Sequence, residues 1–180
     1  MKLSVLVSSL WIDDDKPTIL KGCLNSIENA DEVLSLVTHN NYPLGYSDSW
    51  NRLAKLATGD FILFMGDNCR IESGNIRDLC VPEVVTSPLL NGEEQDFWGS
   101  VFCMPKEVYN TIGLYDMDYN EGCHFEDEDL WKRLTKNKVQ TMSINTVNVI
   151  KNVGGRTIDK IPSNNHKKEI NREVFNRKWQ

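Results

Sequence analysis

Hydrophobic residues along the first third of the chain fall into two alternating rhythms. Leu3 to Val7 is apolar and β-rich, which predicts a buried strand. From Thr18 to Ile27 the apolar positions are Ile19, Leu20, Cys23, Leu24 and Ile27, a helical spacing. Glu32 to Val37 reads as a second strand, followed by a loop from Thr38 to Gly45 rich in Asn, Pro and Gly. Ser47 or Asp48 can cap a second helix, which runs to about Ala57 with Trp50, Leu53 and Ala54 on one face. Phe61-Ile62-Leu63-Phe64-Met65 is an unbroken apolar run, as in a strand covered on both faces. The order β-α-β-α-β predicts an α/β fold, an open Rossmann-like sheet flanked by helices. Ligands bind such sheets beyond the carboxyl ends of the strands. Gly66-Asp67-Asn68 lies at that point of the third strand, where a carboxylate and an amide could meet sugar hydroxyls or a diphosphate-bound cation.

Farther along, Ile71 to Asp96 reads as irregular and polar, with Pro82, Pro88 and Gly92. Phe97 to Met104 is strand-like, and Pro105 to Ile112 can form a short helix ended by Gly113. A helix is expected from Glu126 to Asn137, then short strands at Val139 to Ser143 and Val147 to Ile150, with a turn at Gly154-Gly155. Asn165 to Trp179 reads as a last helix with a sparse stripe of Ile170, Val174 and Phe175. Glu126-Asp127-Glu128-Asp129 puts four carboxylates in the first turn of its helix. Each raises the cost of ionising its neighbours, and the positive end of the helix dipole offsets part of that cost. The run is either a solvated, over-capped turn or the seat of a carboxylate base with a tuned pKa.

Composition narrows the class. The chain has 180 residues, 40% hydrophobic and 26% charged, which fits one soluble globular domain spanning 1–180. Its net charge of −6 argues against a nucleic-acid partner. The five cysteines, Cys23, Cys69, Cys80, Cys103 and Cys123, form no C-x-x-C pair and no zinc spacing. They are expected to be reduced thiols, which points to a cytoplasmic location. The apolar run at the N-terminus is too short for a signal peptide or a membrane span.

Several blocks then occur in one order. They are Asn51-Arg52-Leu53-Ala54-Lys55-Leu56-Ala57-Thr58-Gly59-Asp60-Phe61-Ile62, then Gly66-Asp67-Asn68, then Gly99-Ser100-Val101-Phe102-Cys103-Met104 with Ile112-Gly113-Leu114-Tyr115-Asp116. Glu126-Asp127-Glu128-Asp129-Leu130-Trp131-Lys132-Arg133 and Phe175-Asn176-Arg177-Lys178-Trp179 follow. Together they resemble the family 2 glycosyltransferases with a GT-A fold. The fourth block follows that family's Glu-Asp-x-Asp-Leu-x-x-Arg pattern, and Gly66-Asp67-Asn68 falls where it has Asp-x-Asp.

The resemblance implies a mixed, mainly parallel sheet with a nucleotide-sugar-binding half over 1–70 and an acceptor-binding half over 95–180. It implies inverting transfer of a hexose-type sugar from a UDP, GDP or dTDP donor to a hydroxyl of a glycan, lipid-linked or protein acceptor. The enzyme would be cytoplasmic, or peripheral to a membrane through its acceptor. Asp127 takes the base position, with Glu126 shaping the acceptor site. Asp129 and Arg133, at i and i+4, would brace the helix, while Glu128 faces solvent and can pair with Lys132. Ser8, Asn40, Asn51, Gly66, Asp67, Asn68, Lys151 and Arg156 fall on the donor side. Gly99 falls on the acceptor side, with Trp98 and Trp131 as a sugar-stacking surface or as core residues. Asp13 to Asp15 lie where the family contacts the nucleotide, or form a solvated capping run.

Two departures bear on the metal. Gly66-Asp67-Asn68 retains one carboxylate where a hard cation prefers several. Lys151 stands near the place where many relatives have a metal-binding His, and His166 is a weaker substitute ligand. Lys151 and Arg156 can neutralise a diphosphate but cannot ligate a metal. The expectation is a Mn or Mg ion that is weakly bound or dispensable. A sugar- or nucleotide-binding module on the same fold is the alternative. A nucleotidyltransferase is disfavoured because Ser8 to Lys16 contains no glycine and three acids.

Overall fold

A computed structural model describes residues 1–11, 16–39, 45–119, 124–151 and 164–180. Its elements are β1 (Leu3–Trp11), α1 (Lys16–Asn25), β2 (Glu32–His39), α2 (Tyr46–Leu56), β3 (Phe61–Gly66), β4 (Arg70–Ser73), β5 (Val84–Leu90), β6 (Val101–Pro105), α3 (Lys106–Ile112), α4 (Glu126–Lys136), β7 (Gln140–Ile150) and α5 (Asn164–Trp179). The seven strands form one sheet in the order β2-β1-β3-β6-β5-β7-β4. β1 pairs in parallel with β2 and β3, and β5 with β7, while β6 and β4 are antiparallel to their neighbours. Five of the seven strands therefore run in one direction, so the sheet is mixed and mainly parallel, as expected.

The continuous apolar runs are explained by two cores, one on each face. Alternate residues of the central strands divide between them, as the period-two pleat requires. Val5, Val7, Leu63, Met65 and Cys103 pack with Leu20 and Cys23 of α1. Leu6, Ile62, Phe64, Phe102 and Met104 pack with Trp50 and Leu53 of α2 and with Leu130 and Leu134 of α4. Cys23, Cys69, Cys80 and Cys103 are free and buried; Cys123 lies outside the described residues.

Several element expectations need correction. The stretch from Ile71 to Asp96 is not irregular: it holds most of β4, a 3-10 turn at Ile76–Leu79, and β5. Pro88 made β5 look broken, but the β5–β7 register shifts between Pro88 and Leu89, so the missing N–H falls at an irregularity. The two short strands near the C-terminus are one strand, β7. The strand placed at Phe97 starts at Val101, because residues 95–100 make a loop. α2 begins at Tyr46 with Gly45 as its cap rather than at Ser47 or Asp48. In α5 the fully buried residue is Asn171, not one of the apolar stripe. The Gly154-Gly155 turn lies outside the described residues.

Candidate active site

The carboxyl ends of β1, β3 and β7 and the start of β6 share one edge of the sheet. Gly66, the last residue of β3, donates its N–H to Ser100 O at 2.9 Å, tying that strand end to the loop before β6. The loop is fixed in turn by its own bonds. Trp98 N–H donates to Ser87 Oγ at 3.0 Å, and Val101 N–H to Trp98 O at 3.1 Å. Tyr115 OH donates to Gly99 O at 3.3 Å.

Above this edge is a cavity of about 490 Å³ lined by Trp98, Gly99, Asp127, Trp131 and Lys151 among others. These five were picked out in the sequence from three separate stretches, and the fold brings them together. Gly99 sits directly beneath Asp127: a Cβ at Gly99 would lie 2.2 Å from Asp127 Oδ2. Only glycine lets the carboxylate approach the loop this closely. Trp131 is 46% exposed, so it is not a core residue, and its indole is free to contact a ligand. Trp98 is half-buried.

The acidic turn separates into four different environments. Glu126 is buried, and its pKa is pushed up from 4.5 to about 8, first by burial and then by the charge of Asp127. The His124 N–H donates to Glu126 Oε2. Asp127 is half-buried at the cavity wall. Glu128 is exposed, and its pKa is raised by desolvation and by Asp127.

Asp129 is fully buried. Its Oδ2 accepts from Arg133 Nε at 2.8 Å, and its Oδ1 accepts from Trp179 Nε1 at 2.8 Å and pairs with Lys178 Nζ at 2.7 Å. Arg133 also donates from Nη1 to Ile112 O at 2.8 Å and from Nη2 to Leu114 O, on either side of Gly113. Gly113 has φ +74° and ψ −177°, a conformation open to glycine alone. The Asp129–Arg133 brace is thus present, and it reaches the α3–α4 connection.

The sequence reading missed what α5 does. Phe175 packs on Phe125 with ring centroids 5.4 Å apart, and Lys178 and Trp179 grip Asp129. Asn171 Nδ2 donates to His124 O at 3.1 Å, next to two residues of positive φ, His124 at 126° and Phe125 at 68°. Lys132 lies over the Phe175 and Trp179 rings, at 5.6 and 5.7 Å, rather than reserved for Glu128. The signal was the Phe-x-x-Lys-Trp ending, whose spacing puts all three residues on one helical face.

On the donor side, Asp67 is buried and its Oδ2 accepts from Ser9 Oγ at 2.6 Å. The serine that contacts this carboxylate is therefore Ser9, one residue beyond Ser8. Ser8 is half-buried and lies opposite Gly66 in the β1–β3 register. Asn68 is half-buried beside Gly66. Lys151 follows β7, lies at the cavity, and acts electrostatically on Cys69, as does Asp67. The Asn51 amide is engaged on both sides with the backbone of Tyr115, at 2.8 and 3.2 Å, where it clamps the loop after α3. His166 is exposed on α5. Asn40, Arg156 and Asp13 to Asp15 lie outside the described residues.

Among the described residues no group of three or more His, Cys, Asp and Glu side chains could hold a metal ion. Asp67 and Asn68 offer one carboxylate, with an oxygen already engaged by Ser9, and one amide. That donor set is a poor match for a hard divalent cation. No described helix is long and apolar enough to cross a membrane.

No protein-family model matches the chain, and no curated protein matches it in sequence. Solved structures do match in three dimensions. GalNAc-T7 with UDP, GalNAc and Mn²⁺ superposes with a TM-score of 0.66 at 12% identity, over 83% of this chain and 43% of that one. The mannosyltransferase PcManGT from Pyrobaculum calidifontis, in complex with GDP-Man and Mn²⁺, gives 0.60 at 12% identity, over 83% and 56%. Glucosyl-3-phosphoglycerate synthase from Mycobacterium tuberculosis, bound to phosphoglyceric acid, gives 0.60 at 9% identity, over 97% and 79%. The fold is the GT-A glycosyltransferase fold. The chain spans about half the length of the first two of these structures.

Proposed function

We propose that this GT-A domain is a nucleotide-sugar-dependent, inverting glycosyltransferase that moves a hexose-type sugar to an acceptor hydroxyl, with Asp127 as the base. The observation that carries the reading is the cavity at the sheet edge, where Asp127 stands over Gly99 between Trp98 and Trp131, with Lys151 on the same wall.

In this reading the acceptor sugar enters against the two indoles. Asp127 takes the proton of the attacking hydroxyl. The oxygen bonds to the anomeric carbon as the bond to the diphosphate breaks on the opposite face, and the configuration inverts. Negative charge grows on the leaving diphosphate, and Lys151, with Arg156, would balance it. Glu126, with its raised pKa, can keep its proton at neutral pH and so need not add a second charge beside Asp127. Divalent metal use, if present, would centre on Asp67. A Mn²⁺ or Mg²⁺ ion bound there would stabilise the diphosphate, and the donor set argues that it binds weakly.

The test is a thermal-shift and turnover screen of UDP-, GDP- and dTDP-sugars with and without Mn²⁺. Donor-dependent transfer that vanishes in Asp127→Asn is the expected result. Transfer that persists in that variant removes Asp127 from the base role. Donor binding with no hydrolysis or transfer would favour the alternative, a binding module, to which the single carboxylate of Gly66-Asp67-Asn68 points. Gly99→Ala should lower turnover about a hundredfold by displacing the Asp127 carboxylate, and because the new Cβ would lie 2.4 Å from Asp127 Cβ it should lower the melting temperature too.

A further inference from the structure

Resting on the transferase reading, we infer that the acceptor cavity selects an uncharged polyhydroxylated sugar and rejects an anionic one, such as a uronic acid or a sugar phosphate. The cavity wall carries three carboxylates, Asp96, Asp127 and Glu128, against one ammonium, Lys151. The N-terminal end of α4 contributes roughly half a positive charge, and its own four carboxylates already occupy it. The balance facing a ligand is therefore negative. The pKa of Glu128 is raised by desolvation and then by the charge of Asp127, even though Lys168 and Lys132 act in the opposite sense.

The uncharged groups of the cavity complement this. Trp98 Nε1 and Ser100 Oγ are buried and have no hydrogen-bond partner among the described residues. Both residues belong to the cavity wall. The exposed face of Trp131 suits the C–H face of a pyranose ring. An added carboxylate or phosphate would meet the negative wall instead. At a separation of several ångströms each unmatched charge should cost on the order of tenfold in affinity.

The experiment follows the indole N–H resonances of the ¹⁵N-tryptophan-labelled full chain, with Trp98→Phe and Trp131→Phe assigning the two signals. Matched pairs are titrated in: methyl β-glucoside against methyl β-glucuronide, and galactose against galactose 6-phosphate. The neutral member of a pair is expected to shift the Trp98 and Trp131 signals at millimolar concentration, with the anionic member at least about tenfold weaker at low salt. The gap should narrow at high salt, because exposed charges are screened. Asp96→Asn with Glu128→Gln should narrow it as well. Both side chains lie at the exposed rim of the cavity, so the variant is expected to fold.

An anionic member that binds as tightly as its neutral partner overturns the inference. So does a preference that survives the double variant, or a lack of any indole shift while nucleotide-sugar turnover proceeds. If neutral glycosides bind selectively and no nucleotide sugar is bound or consumed, the transferase reading fails and the charge selection stands. If neither class of sugar binds and no nucleotide sugar is consumed, both fail.

Discussion

The two acidic segments of the site, the turn after β3 and the first turn of α4, are held by different kinds of contact. Asp67, in the turn after β3, accepts from Ser9, and Gly66 ties the turn to Ser100. Asp129, in α4, is gripped by Arg133, Lys178 and Trp179 from two helices. Asp127 lies two residues before Asp129 in the same first turn and takes no part in that grip. A base must be placed to within a fraction of an ångström, whereas a diphosphate can be met by a mobile ammonium such as Lys151. α4 is held by charged and indole groups from two helices, whereas the turn after β3 is tied by a hydroxyl and a backbone hydrogen bond.

If that comparison holds, removing the two carboxylates should have unequal effects. Asp127→Asn should lower kcat by about a thousandfold, while Asp67→Asn should lower it by only about tenfold. Steady-state kinetics on both variants decide it. A larger loss from Asp67→Asn, restored by excess Mn²⁺, would reverse the ranking and return the metal to the centre of the mechanism.

The next largest effect concerns folding. Asp129→Ala leaves the Arg133 guanidinium without its carboxylate and Lys178 with Asp116 alone, in a site where Asp129 is fully buried. A loss of about 3–5 kcal/mol in chemical denaturation is expected.

Glu126 provides a contrast within α4 itself. Its pKa is about 8 in the folded chain against an ordinary 4.5, so between those values the folded state holds a proton that the unfolded state has released. Stability therefore falls as pH rises through that window, by as much as a few kcal/mol, and levels off above it. Below pH 4.5 both states are protonated and the penalty is absent. Glu126→Gln should flatten the decline between about pH 5 and pH 8 in melting temperature against pH. An unchanged slope would show that Glu126 ionises normally.

Much of this was legible in the chain. Period-two and helical patterns placed β1, β2, β3, α1 and α4, because central strands and packed helices are governed by local burial. The acid run and the residues around Trp98 and Gly99 were visible as candidates from the order of blocks alone. What the sequence hid depends on distant partners. β4 and β5 looked irregular because one is a short edge strand and the other carries Pro88 at a register shift. Ser9, not a candidate in the sequence, meets Asp67 because strand parity decides which side chain faces the turn. Asn51, read as a donor contact, has its amide held by a loop 64 residues away. The clamp of α5 on Asp129 spans 50 residues, so the Phe-x-x-Lys-Trp ending showed a shared helical face but not the carboxylate it meets.

That clamp also supplies the finest test. Trp179→Phe keeps the ring and the cation contacts with Lys132 and Lys136 but removes one N–H donated to Asp129. Arg133 and Lys178 remain, so the carboxylate stays compensated and the loss should be only about 1–2 kcal/mol. If α5 orients the acidic turn as well as stabilising it, kcat should fall by more than the change in folded fraction explains, while KM for the donor stays constant. A fall in stability with unaltered kcat would make α5 a prop for the fold alone. The acidic turn would then owe its placement to Arg133 and to the strained residues His124 and Phe125.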